Sequence, residues 1–282
     1  MSESGKRIGF VDNSLENFHS NTYLKLLRED LKDRGFTVTG GIGLKEAESK
    51  AWAEANGVPY FSKMKALDGV VDHYIVLAPS DPEVHLKLCK MVFPFGKPTY
   101  VDKTFAPDLK TARKIFALAD KHKVPMQTTS ALRYTNVQDY VQEVGSKEVK
   151  HMVTWGGGSS FGEYAIHPVE LAISCMGPKV RRLMRQGKGD HAQLLLWFSG
   201  GRTAVINVYT NQSTPYAASV TTKKGTQLIQ VESAKIFLNT AAAILDMFES
   251  GEPNISRKES LMIRRILDVA GEKDSLKGFV KV

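Results

Sequence analysis

The first part of the chain alternates short apolar runs with longer segments in which apolar residues recur at helical spacing. Short apolar runs predict buried strands, and the longer periodic segments predict helices. An alternation of strand and helix is typical of a parallel sheet covered by helices on both faces. Strands are predicted at 7–11, 36–39, 72–77, 99–102 and 125–128, and helices near 21–34, 45–56, 82–92 and 107–122.

The pattern changes after about residue 130. Long runs at 191–198, 202–210 and 218–231 have strand character and are not separated by helices, which predicts an antiparallel open sheet. Two helices, 233–250 and 256–272, close the chain. The predicted fold class is therefore α/β, with a Rossmann-like, doubly wound parallel sheet in a first domain (1–130). A second, α+β domain (131–282) carries the large, mostly antiparallel sheet.

Lys103 is the first candidate for chemistry, since it directly follows the predicted strand 99–102 and precedes a helix. In doubly wound sheets, the carboxyl ends of the strands open onto the ligand crevice. A lysine in that place can act as an acid or as a charge clamp. The structural alternative is a lysine whose stem lies along the surface while its charge stays in water.

A second candidate group is Glu163 and His167, which lie four residues apart in a segment that predicts a helix. Residues at this spacing project from the same helix face. A carboxylate and an imidazole together can orient, protonate and deprotonate a substrate hydroxyl. In the structural alternative, Glu170 is merely the hydrogen-bond partner of a buried histidine.

The turn after the first strand lacks the glycines of a dinucleotide site. Such sites carry Gly-x-Gly-x-x-Gly, because only glycine lets the backbone approach the pyrophosphate closely. Gly9 lies inside the strand, and the turn itself contains the carboxylates of Asp12 and Glu16. These charges oppose an anion, although a helix N-terminus favours one by about 0.3–1 kcal/mol. The acidic residue expected after the second strand, which would bind the ribose, is also absent from 37–43.

Other features of these turns leave several alternatives open. Gly40, Gly41 and Gly43 are either a relocated phosphate loop or a flexible turn between strand and helix. Ser14 and Asn17 form a capping arrangement before the first helix. Asp12 could bind a substrate hydroxyl or a cation instead, but nothing nearby has the spacing of metal ligands. No metal site is predicted.

The composition is consistent with a soluble enzyme, and a cytoplasmic location is expected. The 282 residues are 42% hydrophobic and 24% charged, both ordinary values for globular proteins. No apolar run approaches the roughly 20 residues that span a bilayer, and the amino terminus has no signal-peptide pattern. Cys89 and Cys175 lie in apolar helical segments and are expected to be buried. The net charge of +8 includes a basic patch at 179–188, but no nucleic-acid-binding motif accompanies the patch, so no nucleic-acid partner is predicted.

Two motifs in the right order resemble the Gfo/Idh/MocA family, named for glucose–fructose oxidoreductase and inositol dehydrogenase. Gly96 to Thr104 is similar to the family's Gly-Lys-x-x-x-x-Glu-Lys-Pro, and Glu163 to Glu170 is similar to its Asp-x-Gly-x-His-x-x-Asp. Residues 78–85 resemble its Thr-Pro-x-x-x-His with a short insertion, and 222–226 resemble its Gly-Thr-x-Gly hairpin. The resemblance covers nearly the whole chain and implies an atypical member that lacks the glycine fingerprint.

The resemblance implies an oxidoreductase that acts on a sugar, an inositol or a related polyol by hydride transfer with NAD or NADP. In that mechanism, His167 exchanges the proton of the substrate hydroxyl or carbonyl, Lys103 stabilises or relays it, and Glu163 orients the sugar. The sheet of the second domain would form a homodimer or homotetramer, for which Trp197, Phe198 and Tyr209 are suited. The implied substrate-binding residues are Arg133, Tyr134 and Tyr164, and the implied cofactor-binding residues are Gly9, Asp12, Asn13, Ser14, Pro79 and Asp102.

An alternative is a family member that has lost ordinary nicotinamide binding. Such a protein would be a cofactor-independent lyase or isomerase, or a sugar-binding protein without turnover. The retained Lys103, Glu163 and His167 favour an enzyme over a binding protein. The altered turn at 12–17 favours non-redox chemistry, because a lysine, a histidine and a carboxylate can abstract a proton next to a carbonyl without a nucleotide.

Overall fold

The computed structural model describes residues 5–187 and 189–282. The chain forms two compact units, one built from residues up to 129 together with 237–255, and the other from 130–236 together with 256–282. The predicted domains, 1–130 and 131–282, assign residues 237–255 to the second domain. The structure instead places this segment in the first unit, because its apolar face completes the core there.

The first unit contains a five-stranded sheet in which every pair of neighbours is parallel, in the order β2-β1-β3-β4-β5. Beyond β2, Tyr60 makes a single parallel bridge to Gly41. With that bridge counted as a short strand, the order is that of a doubly wound dinucleotide-binding fold. The predicted Rossmann-like sheet is thereby confirmed. Its strands are β1 (Arg7–Asp12), β2 (Thr37–Gly43), β3 (His73–Val76), β4 (Thr99–Val101) and β5 (Met126–Gln127).

The helices between these strands follow the predicted alternation. Helix α1 starts earlier than predicted, because the Asn17 side chain caps its first turn. It also ends earlier, and a short 3-10 helix at Lys32–Arg34 replaces its predicted last turn. The helices are α1 (Phe18–Arg28), α2 (Glu46–Ala55), α3 (Met64–Asp68), α4 (His85–Val92) and α5 (Leu109–Lys121).

The second unit contains a seven-stranded sheet in the order β11-β10-β6-β9-β8-β7-β12. Strands β6 and β9 are parallel, and all other neighbours are antiparallel, which confirms the predicted large, mostly antiparallel sheet. Its strands are β6 (His151–Gly158), β7 (Val180–Gln186), β8 (His191–Phe198), β9 (Thr203–Thr210), β10 (Ala217–Thr222), β11 (Gly225–Gln230) and β12 (Val280–Lys281). Its first helices are α6 (Asn136–Val144), α7 (Phe161–Tyr164) and α8 (Ile166–Met176).

The two closing helices belong to different units. Helix α9 (Ile236–Ser250) packs on the first sheet, where Phe248 stacks on His73 with ring centroids 4.4 Å apart. Helix α10 (Arg257–Gly271) belongs to the second unit with α8. Helix α8 is fixed to the sheet by the Thr154 hydroxyl, which donates to the Pro168 carbonyl at 3.0 Å.

Candidate functional site

The turn after β1 carries Asp12, Ser14 and Asn17 at the three glycine positions of the dinucleotide fingerprint. The Asn17 side-chain oxygen accepts the backbone N–H groups of His19 and Ser20 at 2.9 and 3.0 Å. Its amide nitrogen donates to Asp12 Oδ2 at 2.8 Å. The first and third positions of the fingerprint are therefore hydrogen-bonded to each other across the turn.

Asp12 is buried, with 1% of its surface exposed. Burial raises the pKa of its carboxyl to about 7, against the lowering effect of hydrogen bonds from Asn17 and Asn13. The Asn13 backbone N–H donates to Asp12 Oδ1 at 2.6 Å, and the Ser20 hydroxyl donates to Oδ2 at 3.3 Å. These donors occupy Asp12 within the protein, so its side chain is a structural part of the turn.

This turn does not fit the pyrophosphate of a dinucleotide. A pyrophosphate at a helix N-terminus needs backbone N–H groups that point at it and glycines that let it approach. Here the Asn17 side chain takes two of those N–H groups, and a carboxylate lies beneath them. Of the predicted cofactor residues, Asp12 accepts from the Asn13 backbone, and the Ser14 carbonyl accepts from the Asn17 side chain at 2.8 Å.

The glycines near the end of β2 do not supply a substitute phosphate loop. Gly41 and Gly43 lie inside the strand, so both predictions, a relocated phosphate loop and a flexible turn, are wrong. A Cβ added to Gly41 would lie 2.8 Å from Leu15 Cδ1, and one added to Gly43 would lie 1.9 Å from Ser49 Oγ. These glycines are needed for the close packing of β2. Gly9 has a similar role in β1, where a Cβ would lie 3.1 Å from Val71.

Asp102, directly after β4, is also held within the first unit. His19 Nδ1 lies 2.5 Å from its Oδ2, and the Tyr100 hydroxyl donates to its Oδ1 at 3.1 Å. Burial raises the pKa of Asp102, but the charge and the hydrogen bond of His19, with Lys103 nearby, hold it below its ordinary value. Asp102 is therefore an ionised partner of His19, a contact that the sequence analysis did not predict.

Lys103 lies at the end of the same strand, as predicted, and is buried. Its ammonium donates to the carbonyl of Pro79 at 3.2 Å, so that it contacts the segment that follows β3. The peptide bond between Lys103 and Thr104 is cis. His85 links the same two segments, since its ring nitrogens contact the carbonyls of Leu77 and Thr104. Burial lowers the pKa of His85.

In the second unit, His167 lies buried near the start of α8. Its Nδ1 is 2.7 Å from the hydroxyl of Ser130, which also accepts the backbone N–H of Leu132 at 3.2 Å. The rings of Tyr164 and Tyr216 lie with centroids 5.7 and 5.9 Å from the imidazole. Ser130 was not predicted, although its position as the cap of the 3-10 helix Ala131–Arg133 is a signal in the sequence. Tyr216 was not predicted either, and no local sequence signal marks it.

Glu163 lies in α7, and the structure divides the predicted single helix into α7 and α8. Ala165 between them keeps helical dihedral angles, φ −59° and ψ −26°. The backbone between Glu163 and His167 is therefore nearly continuous helix, as their four-residue spacing requires. Glu163 is half-buried, and its backbone N–H is capped by the Ser160 hydroxyl at 3.3 Å.

The predicted substrate residue Arg133 lies between two carboxylates. Its Nε donates to Glu170 at 2.5 Å and its Nη1 donates to Glu259 at 2.7 Å. Burial lowers the pKa of Arg133, but both carboxylates outweigh this and raise it above its ordinary value. These contacts link α8 and α10 and give Arg133 a structural role. Tyr134 and Tyr164 are half-buried, and only Tyr164 has a ring contact to His167.

No metal site is evident among residues 5–187 and 189–282, since no three His, Cys, Asp or Glu side chains are grouped as ligands there. Cys89 and Cys175 are buried, as predicted. Burial raises the pKa of both thiols, that of Cys175 to about 12. In the part of the chain that the structure describes, no helix is long and apolar enough to cross a bilayer.

Comparison with known proteins gives a clear result for the fold. No family model matches the sequence. No curated protein matches it either. Among solved structures, a probable dehydrogenase from Thermotoga maritima superposes with a TM-score of 0.80 at 16% identity, covering 98% of each chain. The scyllo-inositol dehydrogenase of Lactobacillus casei, with bound NAD(H) and scyllo-inositol, gives 0.82 at 12% identity, again covering 98% of each chain.

A third structure is an oxidoreductase from Agrobacterium radiobacter in complex with NAD+, L-tartaric acid and magnesium, with a TM-score of 0.78 at 16% identity over 98% of each chain. At such low identity, these similarities show that the protein has the two-part fold of inositol dehydrogenases and related oxidoreductases.

Proposed function

We propose that this protein is an enzyme of the Gfo/Idh/MocA type that acts on a sugar, an inositol or a related small polyol. The oxidoreductase class is supported by the fold of its structural neighbours. The observation that carries the proposal is the environment of His167, the residue that the motif assigns to proton exchange. Its buried imidazole is held at Nδ1 by Ser130 and flanked by the rings of Tyr164 and Tyr216.

The proposed chemistry is proton exchange at a substrate hydroxyl or carbonyl. An imidazole held through Nδ1 keeps a defined orientation, which is what a general acid or base requires. Lys103 supplies positive charge that stabilises or relays the proton, and Glu163 accepts hydrogen bonds from neighbouring substrate hydroxyls. Tyr164 contributes an apolar wall beside His167.

If the protein is an oxidoreductase, NAD or NADP would supply the hydride acceptor. The support is that two of the similar structures contain NAD. The turn after β1 opposes the usual binding mode, because Asn17 and Asp12 fill it. We therefore assign no residue of this turn to a nucleotide.

A second candidate function is a cofactor-independent lyase or isomerase, and the hydrogen bond between Asp12 and Asn17 specifically favours it. Such an enzyme would use the same acid–base side chains and would need no pyrophosphate site. A sugar-binding protein without turnover is less well supported, since a binding protein has no need of a fixed imidazole.

The test is thermal unfolding of nucleotide-free protein with NAD, NADH, NADP and NADPH, followed by turnover measurements on a panel of sugars and inositols. A ligand at about 100 times its dissociation constant stabilises the native state by about 2.7 kcal/mol. A clear increase in Tm with one nucleotide, together with nucleotide-dependent turnover, supports the oxidoreductase. Turnover without any nucleotide response supports the lyase or isomerase. Absence of turnover across the panel contradicts the proposed enzyme.

A further inference from the structure

A dense cluster of buried titratable side chains lies in the first unit and has no role in the chemistry proposed above. It consists of His19, Tyr23, Tyr100 and Asp102, all of which are buried. Asp12 lies beside it, close enough that the charge of Asp102 raises the Asp12 pKa. Asp12 ends β1, Asp102 directly follows β4, and His19 and Tyr23 lie on α1. The carboxyl ends of the strands form the edge of the sheet where doubly wound proteins bind their ligands.

Asp102 is the centre of this cluster. Tyr100 and Asp102 are two residues apart on extended backbone, so their side chains project to the same side. The Tyr100 hydroxyl donates to one carboxylate oxygen, and His19 Nδ1 contacts the other. With both oxygens paired, Asp102 can hold the imidazole in a single orientation and tautomer, as the carboxylate of a catalytic triad does.

His19 itself is positioned from two directions. Its backbone N–H is capped by the Asn17 side chain, which is in turn fixed by Asp12. Its ring lies among Phe18, Tyr23 and Phe237, at centroid distances of 5.9, 6.0 and 5.3 Å. The residues that replace the fingerprint glycines therefore hold this histidine on its carboxylate.

The other ring nitrogen of His19 is available for chemistry. Nε2 makes no hydrogen bond to any residue that the structure describes, whereas Nδ1 faces Asp102. The side chain keeps 10% of its surface exposed, and the neighbouring Phe18 is 64% exposed. A fixed, solvent-reachable imidazole backed by an ionised carboxylate is an arrangement typical of a general base.

We propose that His19, oriented by Asp102, is a further acid–base residue of this protein, in the first turn of α1, next to the place where similar folds hold a pyrophosphate. The proposal rests on the proposed function for its ligand, a small polyhydroxylated molecule. Nε2 takes a proton from a ligand hydroxyl, and the O–H electron pair stays on the ligand oxygen. Asp102 remains ionised and stabilises the imidazolium, and the same proton returns from Nε2 when the cycle ends.

The first test needs no substrate. Diethyl pyrocarbonate, followed by mass spectrometry, measures the reactivity of each histidine in the intact protein at neutral pH. We expect His19 to be modified severalfold faster than the fully buried His85, and Asp102→Asn to slow this modification because the carboxylate makes the imidazole more nucleophilic. Equal rates for His19 and His85, or an unchanged rate for His19 in folded Asp102→Asn, would overturn the proposal.

The second test measures turnover on any substrate that the sugar and inositol panel identifies. His19→Asn keeps a donor to Asp102 but removes Nε2, and it should lower kcat at least about 100-fold, the lower range for general acid–base catalysis. Asp102→Asn should shift the pH profile of kcat. The matched control, His191→Asn, changes an exposed histidine at the start of β8 and should leave kcat unchanged.

The two tests distinguish a failure of the role proposed for His19 from a failure of the proposed function. Unchanged kcat in folded His19→Asn contradicts the role of His19 and leaves the proposed function intact. A panel without turnover contradicts the proposed function, and the reactivity of His19 towards diethyl pyrocarbonate still decides whether Asp102 activates it.

Discussion

Asp12 couples folding to pH, because its carboxyl is enclosed by protein. Its pKa rises from 3.8 to about 7 on folding, chiefly through burial. A group whose pKa is higher in the folded state contributes stability that is complete below the unfolded pKa. That stability is lost as the pH rises through the folded pKa. Between about pH 4 and pH 7, Asp12 should therefore lower the free energy of unfolding as the pH increases.

The predicted effect is at most about 4 kcal/mol, since one pKa unit corresponds to about 1.4 kcal/mol. Asp12→Asn should remove this contribution, so that the variant gains stability relative to wild type from pH 4 to pH 8. Urea unfolding at several pH values measures the difference. Identical pH slopes for the two proteins would show that folding leaves the pKa of Asp12 unchanged.

Lys103 is the residue on which the proposed chemistry depends most directly. Lys103→Ala should reduce turnover of an identified substrate at least about 100-fold. Stability should change little, because the ammonium donates to the Pro79 carbonyl at 3.2 Å and a hydrogen bond contributes roughly 0.5–1.5 kcal/mol. The control Lys110→Ala removes an exposed lysine of α5. Full activity in folded Lys103→Ala would remove this residue from the mechanism.

At the level of elements, the glycine run at the end of β6 permits close packing around the His167 region. A Cβ on Gly157 would lie 1.8 Å from the backbone oxygen of Tyr209 in the neighbouring strand β9. A Cβ on Gly158 would lie 2.2 Å from the ring of Tyr164. The Tyr164 ring can therefore rest on the strand only because residue 158 has no side chain.

Gly157→Ala should destabilise the protein by more than about 2 kcal/mol, because backbone cannot move aside as a flexible side chain does. Gly162→Ala is the matched control, since a Cβ there meets nothing within 4 Å. It should change the free energy of unfolding by no more than about 0.5 kcal/mol. Chemical denaturation measures the free energy of unfolding of both variants. Equal values would show that β6 and β9 can move apart at residue 157 without loss of stability.

Most elements of the fold were predictable from the sequence, because their hydrophobic periodicity is set by local burial. The five parallel strands and the antiparallel sheet were found this way. The break between α7 and α8 was not predicted, since Ala165 is a good helix former and only the hydrogen-bond pattern divides the two helices. Family motifs singled out Lys103, His167 and Pro79, but they did not predict that Lys103 contacts Pro79 or that His167 contacts Ser130.

The contacts of Asp102 and Arg133 were beyond sequence reasoning for a different reason. The partner of Asp102, His19, lies 83 positions away, and Glu259 lies 126 positions from Arg133. Spacing along the chain carries no information about such pairs. Only the packed structure shows that Arg133 is committed to an ion-pair network.

At the scale of the whole molecule, one face of the second sheet carries a row of apolar side chains. Val153, Val205 and Leu195 are adjacent in register on β6, β9 and β8, on the face opposite to the buried Ile206 and Leu194. We expect this row to lie at the centre of a homodimer or homotetramer interface.

Val205→Glu should convert the assembly to monomers, because a charge buried at an interface is costly without a partner. Leu276→Glu is the control, since Leu276 is exposed and lies outside the row. Sedimentation velocity measures the outcome. A monomeric wild-type protein, or an unchanged assembly in Val205→Glu, would contradict this expectation.

The late position of helix α9 in the sequence affects how the first unit folds during synthesis. The first sheet is complete once residue 127 has been made, but the apolar side chains that cover it, including Leu245 and Phe248, come more than a hundred residues later. A ribosome must therefore produce residues 130–236 while one face of the nascent first unit still exposes Phe36 and Ile75. Nascent chains with such exposed surface are prone to aggregate. Binding by chaperones during translation should consequently be concentrated between the completion of β5 and the emergence of α9.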